Sequence, residues 1–407
     1  MNKKYFYVVL ATVVAITLVA TGFWNFYQSI NNSSQNNKTK PRLQNYISNT
    51  QTTYRLPGEF EKQQAIWMQW PSDNYETGDR PVGPTFINII KNFAPYIRVN
   101  VATVNNNEIA NIKNSLKLSG YSGTNVHYYN INHLSIWARD VGPVFLKDNH
   151  NNFYVANFDF NNYSRDGDPY YINVESQVHK IIAQMYGFPL VSTNLVSEGG
   201  SMESNGKGTL MLTESVSLKR NPKLEKAQIE NHYKTALGLK KIIWLKKGLA
   251  EDDNITSGHI NEIARFANAN TILLGQVLPG DRNANSYSKE SYLRLEENYN
   301  ILKNSTDQDG KPFKIIRVPM PPTLYNVNDS SGRLPVRSYL NYSVTNGAVL
   351  MQTYWKAGRS SSLKATEDGV KEIFKEVFPG RNIMGIYSEN INLWGGGIHC
   401  VTQQMPA

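Results

Sequence analysis

The chain has 407 residues, of which 40% are hydrophobic and 18% charged, and a formal net charge of +9. The basic excess sits in short scattered pairs (Lys219-Arg220, Lys240-Lys241, Lys246-Lys247), with no long basic run interleaved with aromatics. That pattern reads as a solvated surface and argues against nucleic acid as a partner. A single cysteine, Cys400, excludes an internal disulfide framework.

In chain order, Lys3 and Lys4 precede an uncharged run from Tyr5 to Trp24. A run of about 20 such residues is long enough to span a bilayer as a helix. Residues 1–24 are therefore expected to be a signal peptide or membrane anchor, with the lysines on the cytoplasmic side. The protein would then be exported, as a periplasmic, membrane-anchored or secreted bacterial protein, and would meet the membrane only if the segment stays uncleaved. No cysteine follows the run, which excludes a lipoprotein anchor. Residues 25–55, with Asn31-Asn32-Ser33-Ser34-Gln35-Asn36-Asn37, have little to bury and read as a disordered polar linker. Residues 56–407 form the folded part. They are long for one ordinary domain, so two domains or one ring of repeated units is expected.

Within that part, helical and strand patterns alternate. Pro84 to Ile90 leads a helix, and Val99 to Val104 is a strand. Glu108 to Leu118 places Ile109, Ile112 and Leu116 at helical spacing. Helices are predicted again over 175–186, 226–237 and 367–378, the last stopped by Pro379-Gly380. Strands are predicted over 241–245, 271–277, 348–354 and 382–387. The class is α/β with short strands, and the recurrence of elements suits a ring of similar units.

Four segments place chemistry-bearing residues in unusual settings. Trp137-Ala138-Arg139-Asp140-Val141-Gly142-Pro143 buries charges in an apolar stretch, as an ion pair or as ligand contacts. Ser197-Glu198-Gly199-Gly200-Ser201 sets an acid before two glycines and also reads as the start of a glycine-turned hairpin. Gly258-His259-Ile260-Asn261-Glu262-Ile263-Ala264-Arg265-Phe266 alternates like a strand, which would put His259 and Asn261 on one face and Glu262 on the other. Finally, Trp394-Gly395-Gly396-Gly397-Ile398-His399-Cys400 presents a thiol beside bare backbone. From the residues alone Cys400 is a nucleophile or a small buried hydrophobe. A nucleophile with a histidine and carboxylates fits a cysteine peptidase or amidase, or an enzyme that clamps a cation.

These segments, with the strand Ala65-Ile66-Trp67-Met68-Gln69-Trp70-Pro71, Ser338-Tyr339-Leu340-Asn341 and the tail through Val401-Thr402-Gln403-Gln404-Met405-Pro406, resemble in order the agmatine deiminase family. That family also contains the bacterial (Porphyromonas-type) peptidylarginine deiminases. The resemblance implies the pentein fold, a five-bladed α/β propeller of ββαβ units with its site at the axis. It implies hydrolysis of a guanidinium to a ureido group and ammonia through an amidino-cysteine, without metal or organic cofactor. Carried over by motif, Cys400 is the nucleophile, Asp140 grips the guanidinium, His259 is general acid and then base, and Glu198 orients His259. Asn261, Trp137, Arg139, Gly396 and Gly397 would line the substrate site, and Arg165, outside those motifs, is either a clamp for a substrate carboxylate or a surface loop arginine. The substrate is agmatine or, as an alternative, peptidyl-arginine, and a homo-oligomer is compatible with this reading.

The chain departs from the resemblance at one position. His259-Ile260-Asn261 stands where the family usually carries His-x-Asp, and an amide brings no charge. A unit charge about 4 Å from a cation contributes roughly 4 kcal/mol at an effective dielectric near 20, before desolvation. The departure keeps a non-catalytic guanidinium or polyamine binder open beside the enzyme. A purely structural surface protein would have no need of a thiol after three glycines.

Overall fold

The computed structural model describes residues 54–76, 81–322 and 334–407, and residues 53–407 form one compact unit. The expected anchor and linker, residues 1–24 and 25–55, lie outside the described residues apart from Tyr54 and Arg55. Among the described residues no helix is long and apolar enough to cross a membrane.

The described strands form five separate sheets, each built on one pattern. An antiparallel pair comes first, then a helical crossover, then a strand parallel to the second of the pair. Val144–Asp148 pairs antiparallel with Phe153–Asp159, which pairs parallel with Leu190–Val196. Glu203–Ser204 and Thr209–Thr213 are followed by Lys241–Leu245, and Ala264–Asn268 and Thr271–Gln276 by Lys314–Pro319. Ser343–Val344 and Ala348–Thr353 are followed by Asn382–Tyr387. The fifth sheet joins distant parts of the chain: Gln403–Pro406 pairs antiparallel with Gln63–Gln69, which leads in parallel to Arg98–Thr103 and Val126–Asn130.

Parallel strands covered by helices are buried on both faces, so they read as continuous apolar runs. Thr209–Thr213 is buried throughout. The crossover helix Gly83–Phe93 starts on a proline and sets Phe86, Ile89, Ile90 and Phe93 against Ile66, Met68, Val99 and Val101. The same core includes Leu350 and Ile386 of the next sheet, and Ile398 and Val401 beside Cys400. Each such side chain contributes about 1.5–3 kcal/mol on burial, so the segment that carries the thiol is anchored from both sides.

Most predicted elements lie where the periodicity puts them, with three corrections. The helix expected over 175–186 is two helices, Pro169–Glu175 and Val178–Tyr186. Ser361–Val377 begins earlier than 367, because Ser360 caps it with its side chain on the Ser362 N–H. Only Ala264–Asn268 of the strand expected over 258–266 is a strand; Ile260–Glu262 is one turn of 3₁₀ helix. The alternation argument for Glu262 fails with it. The hairpin reading holds for Glu203–Ser204 and Thr209–Thr213, turned through Gly206 and Gly208 at φ 68° and 112°.

Candidate active site

The site assembles from five loops, each lying just before the first strand of one sheet. Asp140 precedes Val144–Asp148, Glu198 precedes Glu203–Ser204, and His259 to Glu262 precede Ala264–Asn268. Asn341 precedes Ser343–Val344, and Cys400 precedes Gln403–Pro406.

The Cys400 thiol is 4% exposed. Its sulfur accepts hydrogen bonds from Asn341 Nδ2 at 3.1 Å and Asn261 Nδ2 at 3.6 Å, and lies 3.9 Å from Glu262 Oε1. Burial pushes the thiol pKa up, and the Glu262 and Asp140 carboxylates push it further, so the free site holds a thiol and not a thiolate. The bare backbone before it is a steric requirement. A Cβ on Gly396 would lie 2.7 Å from the Trp137 ring and 3.1 Å from the Cys400 sulfur, and one on Gly397 would lie 2.6 Å from Asn341 Oδ1.

His259 stands between two carboxylates, with Nε2 3.4 Å from Glu198 Oε2 and Nδ1 3.8 Å from Asp140 Oδ1. Burial works against its charge, but Asp140 and Glu198 outweigh it and hold the imidazole pKa above its ordinary value. Asp252 fixes the histidine from behind, accepting from the His259 and Thr256 N–H groups at 3.0 Å each. Glu198 is fully buried and ion-paired to Arg220 at 2.6 Å. Burial opposes its charge, yet Arg220 holds it below the usual carboxylate range. Asp140 accepts from the Gly200 N–H at 3.0 Å and the Tyr163 hydroxyl at 2.9 Å. Burial, with Glu198, raises its pKa despite His259.

Asn261 is oriented by a relay. Burial, Arg139 and Arg265 hold His399 far below its usual pKa, so it is neutral. Its Nε2–H donates to Glu59 at 2.9 Å, which leaves Nδ1 to accept from Asn261 Nδ2 at 2.9 Å. The Asn261 nitrogen therefore faces His399 and the thiol. Asn261 Oδ1, His259 Nδ1 and Glu262 Oε2 are buried with no hydrogen-bond partner among the described residues.

Two expected substrate contacts lie elsewhere. Arg139 is committed to a structural cluster: its guanidinium pairs with Glu59 and donates to Gln404 Oε1, both at 2.6 Å. Arg265 completes that cluster, pairing with Glu59 and Glu203. Glu59, Glu203 and His399 could offer a metal three ligand atoms, but the two arginines already neutralise the carboxylates, so the donor set does not fit one. Arg165 is exposed on the outer side of Tyr163, its guanidinium 5.0 Å from the ring centre. Asn341, Glu262, Tyr163, Arg220, Asp252 and the Glu59–His399 pair were not singled out from sequence as site residues. The common position just before each sheet is the signal that would have found Asn341 and Glu262.

Residues 55–406 match the Porphyromonas-type peptidyl-arginine deiminase family. The chain belongs to this family. Among its relatives, the agmatine deiminase of Medicago truncatula is 30% identical over 393 residues, covering 89% of this chain and 99% of that one. The agmatine deiminase of Pseudomonas fluorescens is 31% identical over 376 residues, covering 87% and 96%. The solved agmatine deiminase of Enterococcus faecalis superposes with a TM-score of 0.75 at 26% identity, covering 87% of this chain and 96% of that one. The α/β fold of this family member is thus that of the deiminases.

Proposed function

We propose that this protein is a guanidine deiminase that hydrolyses agmatine to N-carbamoylputrescine and ammonia. The observation that carries the reading is the convergence of the buried Cys400 thiol with the His259–Glu198 pair and the Asp140 carboxylate. The family consists of hydrolases of guanidino carbon–nitrogen bonds, and the named relatives act on agmatine. We read the five sheets as blades of one propeller, with the five pre-strand loops meeting at its axis.

In this mechanism Asp140 binds guanidinium N–H groups, and the incoming cation favours the thiolate that burial alone opposes. Cys400 Sγ, its thiol proton released to solvent as the cation binds, attacks the guanidinium carbon. The imidazolium of His259 gives its proton to the departing nitrogen, which leaves as ammonia, and an amidino-thioether remains on Cys400. Neutral His259 then takes a proton from water as the water attacks that carbon. The C–S bond breaks, the ureido product leaves, and the thiol and imidazolium are restored. Glu198, itself held by Arg220, keeps the imidazole oriented and charged between turnovers.

A nucleophile only 4% exposed suits a slender guanidinium on an alkyl stem. The test is ammonia and ureido-product formation from agmatine, free arginine and an arginine peptide. Agmatine turnover lost in Cys400→Ser by about a thousandfold or more supports the reading. Ammonia release from none of the three would remove it.

A further inference from the structure

A planar guanidinium with its fork of donors is best held by two carboxylates. Asp140 offers one. Glu198 is already neutralised by Arg220 in a fully buried pair. Asn261 offers only a neutral oxygen, so with only the sequence-predicted residues counted the binding site is one charge short.

Glu262 changes that count. A 3₁₀ helix turns about 120° per residue, so neighbours on it can approach one space from different sides, which a strand forbids. The turn Ile260–Glu262 does this: Asn261 Nδ2 and Glu262 Oε1 lie 3.6 Å and 3.9 Å from the Cys400 sulfur. Glu262 is 2% exposed. Its Oε1 accepts from Asn341 Nδ2, the same nitrogen that donates to the thiol. Its Oε2 is buried without a partner among the described residues. Burial, with Asp252, holds the Glu262 pKa well above the usual carboxylate range, so an unpaired oxygen beside the thiol takes up its charge when a cationic donor arrives. Asn261 Oδ1 is the second unpartnered acceptor on the same turn, its amide held in that sense by His399 and Glu59.

We propose that Glu262 is the second carboxylate of the substrate site, supplying to the guanidinium the charge that Asn261 lacks, while Asn261 Oδ1 accepts one of its N–H groups. The inference rests on the deiminase reading for its ligand class.

The competing role for Glu262 is to position Asn341. Glu262→Gln separates the two, because a glutamine oxygen still accepts from Asn341 but carries no charge. Agmatine is titrated by calorimetry into Cys400→Ser and into Cys400→Ser/Glu262→Gln. The second should bind about tenfold or more weakly, as expected for loss of a charge-assisted pair. In the intact nucleophile background Glu262→Gln should lose at least as much in kcat/KM for agmatine, and Asn261→Asp/Glu262→Gln should recover it to within about threefold, since the charge moves one residue along the turn. Affinity and kcat/KM within twofold of the parent in Glu262→Gln would overturn the proposal. If thermal unfolding shows that Glu262→Gln does not fold, Cys400→Ser/Asn261→Asp/Glu262→Gln decides: binding like Cys400→Ser supports the proposal, and a tenfold loss overturns it. Should the parent protein release no ammonia from agmatine, the deiminase reading fails, and the binding comparison still decides whether Glu262 holds a guanidinium.

Discussion

A thiol, an imidazole and four buried carboxylates share this site, and each changes the protonation of the others. Burial together with Glu262 and Asp140 keeps Cys400 protonated. The thiolate absorbance of the intact protein, measured as the difference from Cys400→Ser, should therefore stay flat through neutral and mildly alkaline pH. His259 moves the other way. Its folded pKa is held above that of a free imidazole, so the stabilisation from its charge is complete below the ordinary value and is lost as pH rises through the raised one. The melting-temperature gap between the parent and His259→Asn should accordingly narrow as pH increases. Tyr163 donates to Asp140 from a run of three left-handed residues, Asn162, Tyr163 and Ser164, with φ between 54° and 60°. Such backbone costs about 1 kcal/mol or more per residue and persists only where the surroundings enforce it. Tyr163→Phe keeps the ring and removes the hydroxyl; KM for agmatine should rise by about tenfold, the weight of a hydrogen bond to a charged group. At this scale the structure brings together four residues that the sequence singled out, Cys400, His259, Asp140 and Glu198. Arg139 does not join them but pairs with Glu59, and a charged pair in an apolar stretch does not say which member turns toward the site and which toward a distant partner.

The element that matters most is the short loop before the first strand of each sheet. These loops follow their own hydrogen bonds more than any hydrophobic period, and that limits what periodicity reveals. The segment from His259 to Glu262 looks like a strand because polar and apolar residues alternate, yet Asp252 caps the turn and Ser257 enters it at φ 72°. The helix Ser286–Lys303 escaped for a related reason: its buried face includes Ser288, Ser291, Arg294 and Asn298 beside Leu295 and Leu302, so no apolar stripe marks it. Helices with a clear stripe, such as Gly83–Phe93 and Lys226–Leu237, were legible to within a residue or two. The glycine loop before Cys400 gives the sharpest test at this scale. Gly396→Ala would press a methyl carbon against Trp137 and the thiol. It should lower stability by about 1–3 kcal/mol, as overpacking does, and remove agmatine turnover while far-ultraviolet circular dichroism is unchanged.

Across the whole molecule, the alternation of helices and strands announced an α/β chain, but the fivefold recurrence was not visible as a repeat. The sheets share a pairing pattern and not a set of residues, so their likeness appears only once the strands are paired. The closing sheet is the exception to sequential order, since Gln403–Pro406 reaches back to Gln63–Gln69. That contact is reinforced by Gln403 Nε2 on the Pro143 carbonyl at 2.6 Å and by Gln404 on Arg139. Removing residues 403–407 should lower the melting temperature, broaden the unfolding transition and abolish turnover, which calorimetry and an ammonia assay would read together. Retained activity in that truncation would show that the loops hold the site without the closing strand. The seam has a consequence for folding. The segment that carries Cys400 meets His259, Asp140 and Glu198 only when Gln403–Pro406 docks against a strand some 340 residues away along the chain, a separation at which loop closure is slow. The site is therefore complete only once this long-range pairing has formed. A chain in which this sheet is unpaired has its buried carboxylates in place and the thiol away from them, so the pairing of one short strand separates an assembled site from a scattered one.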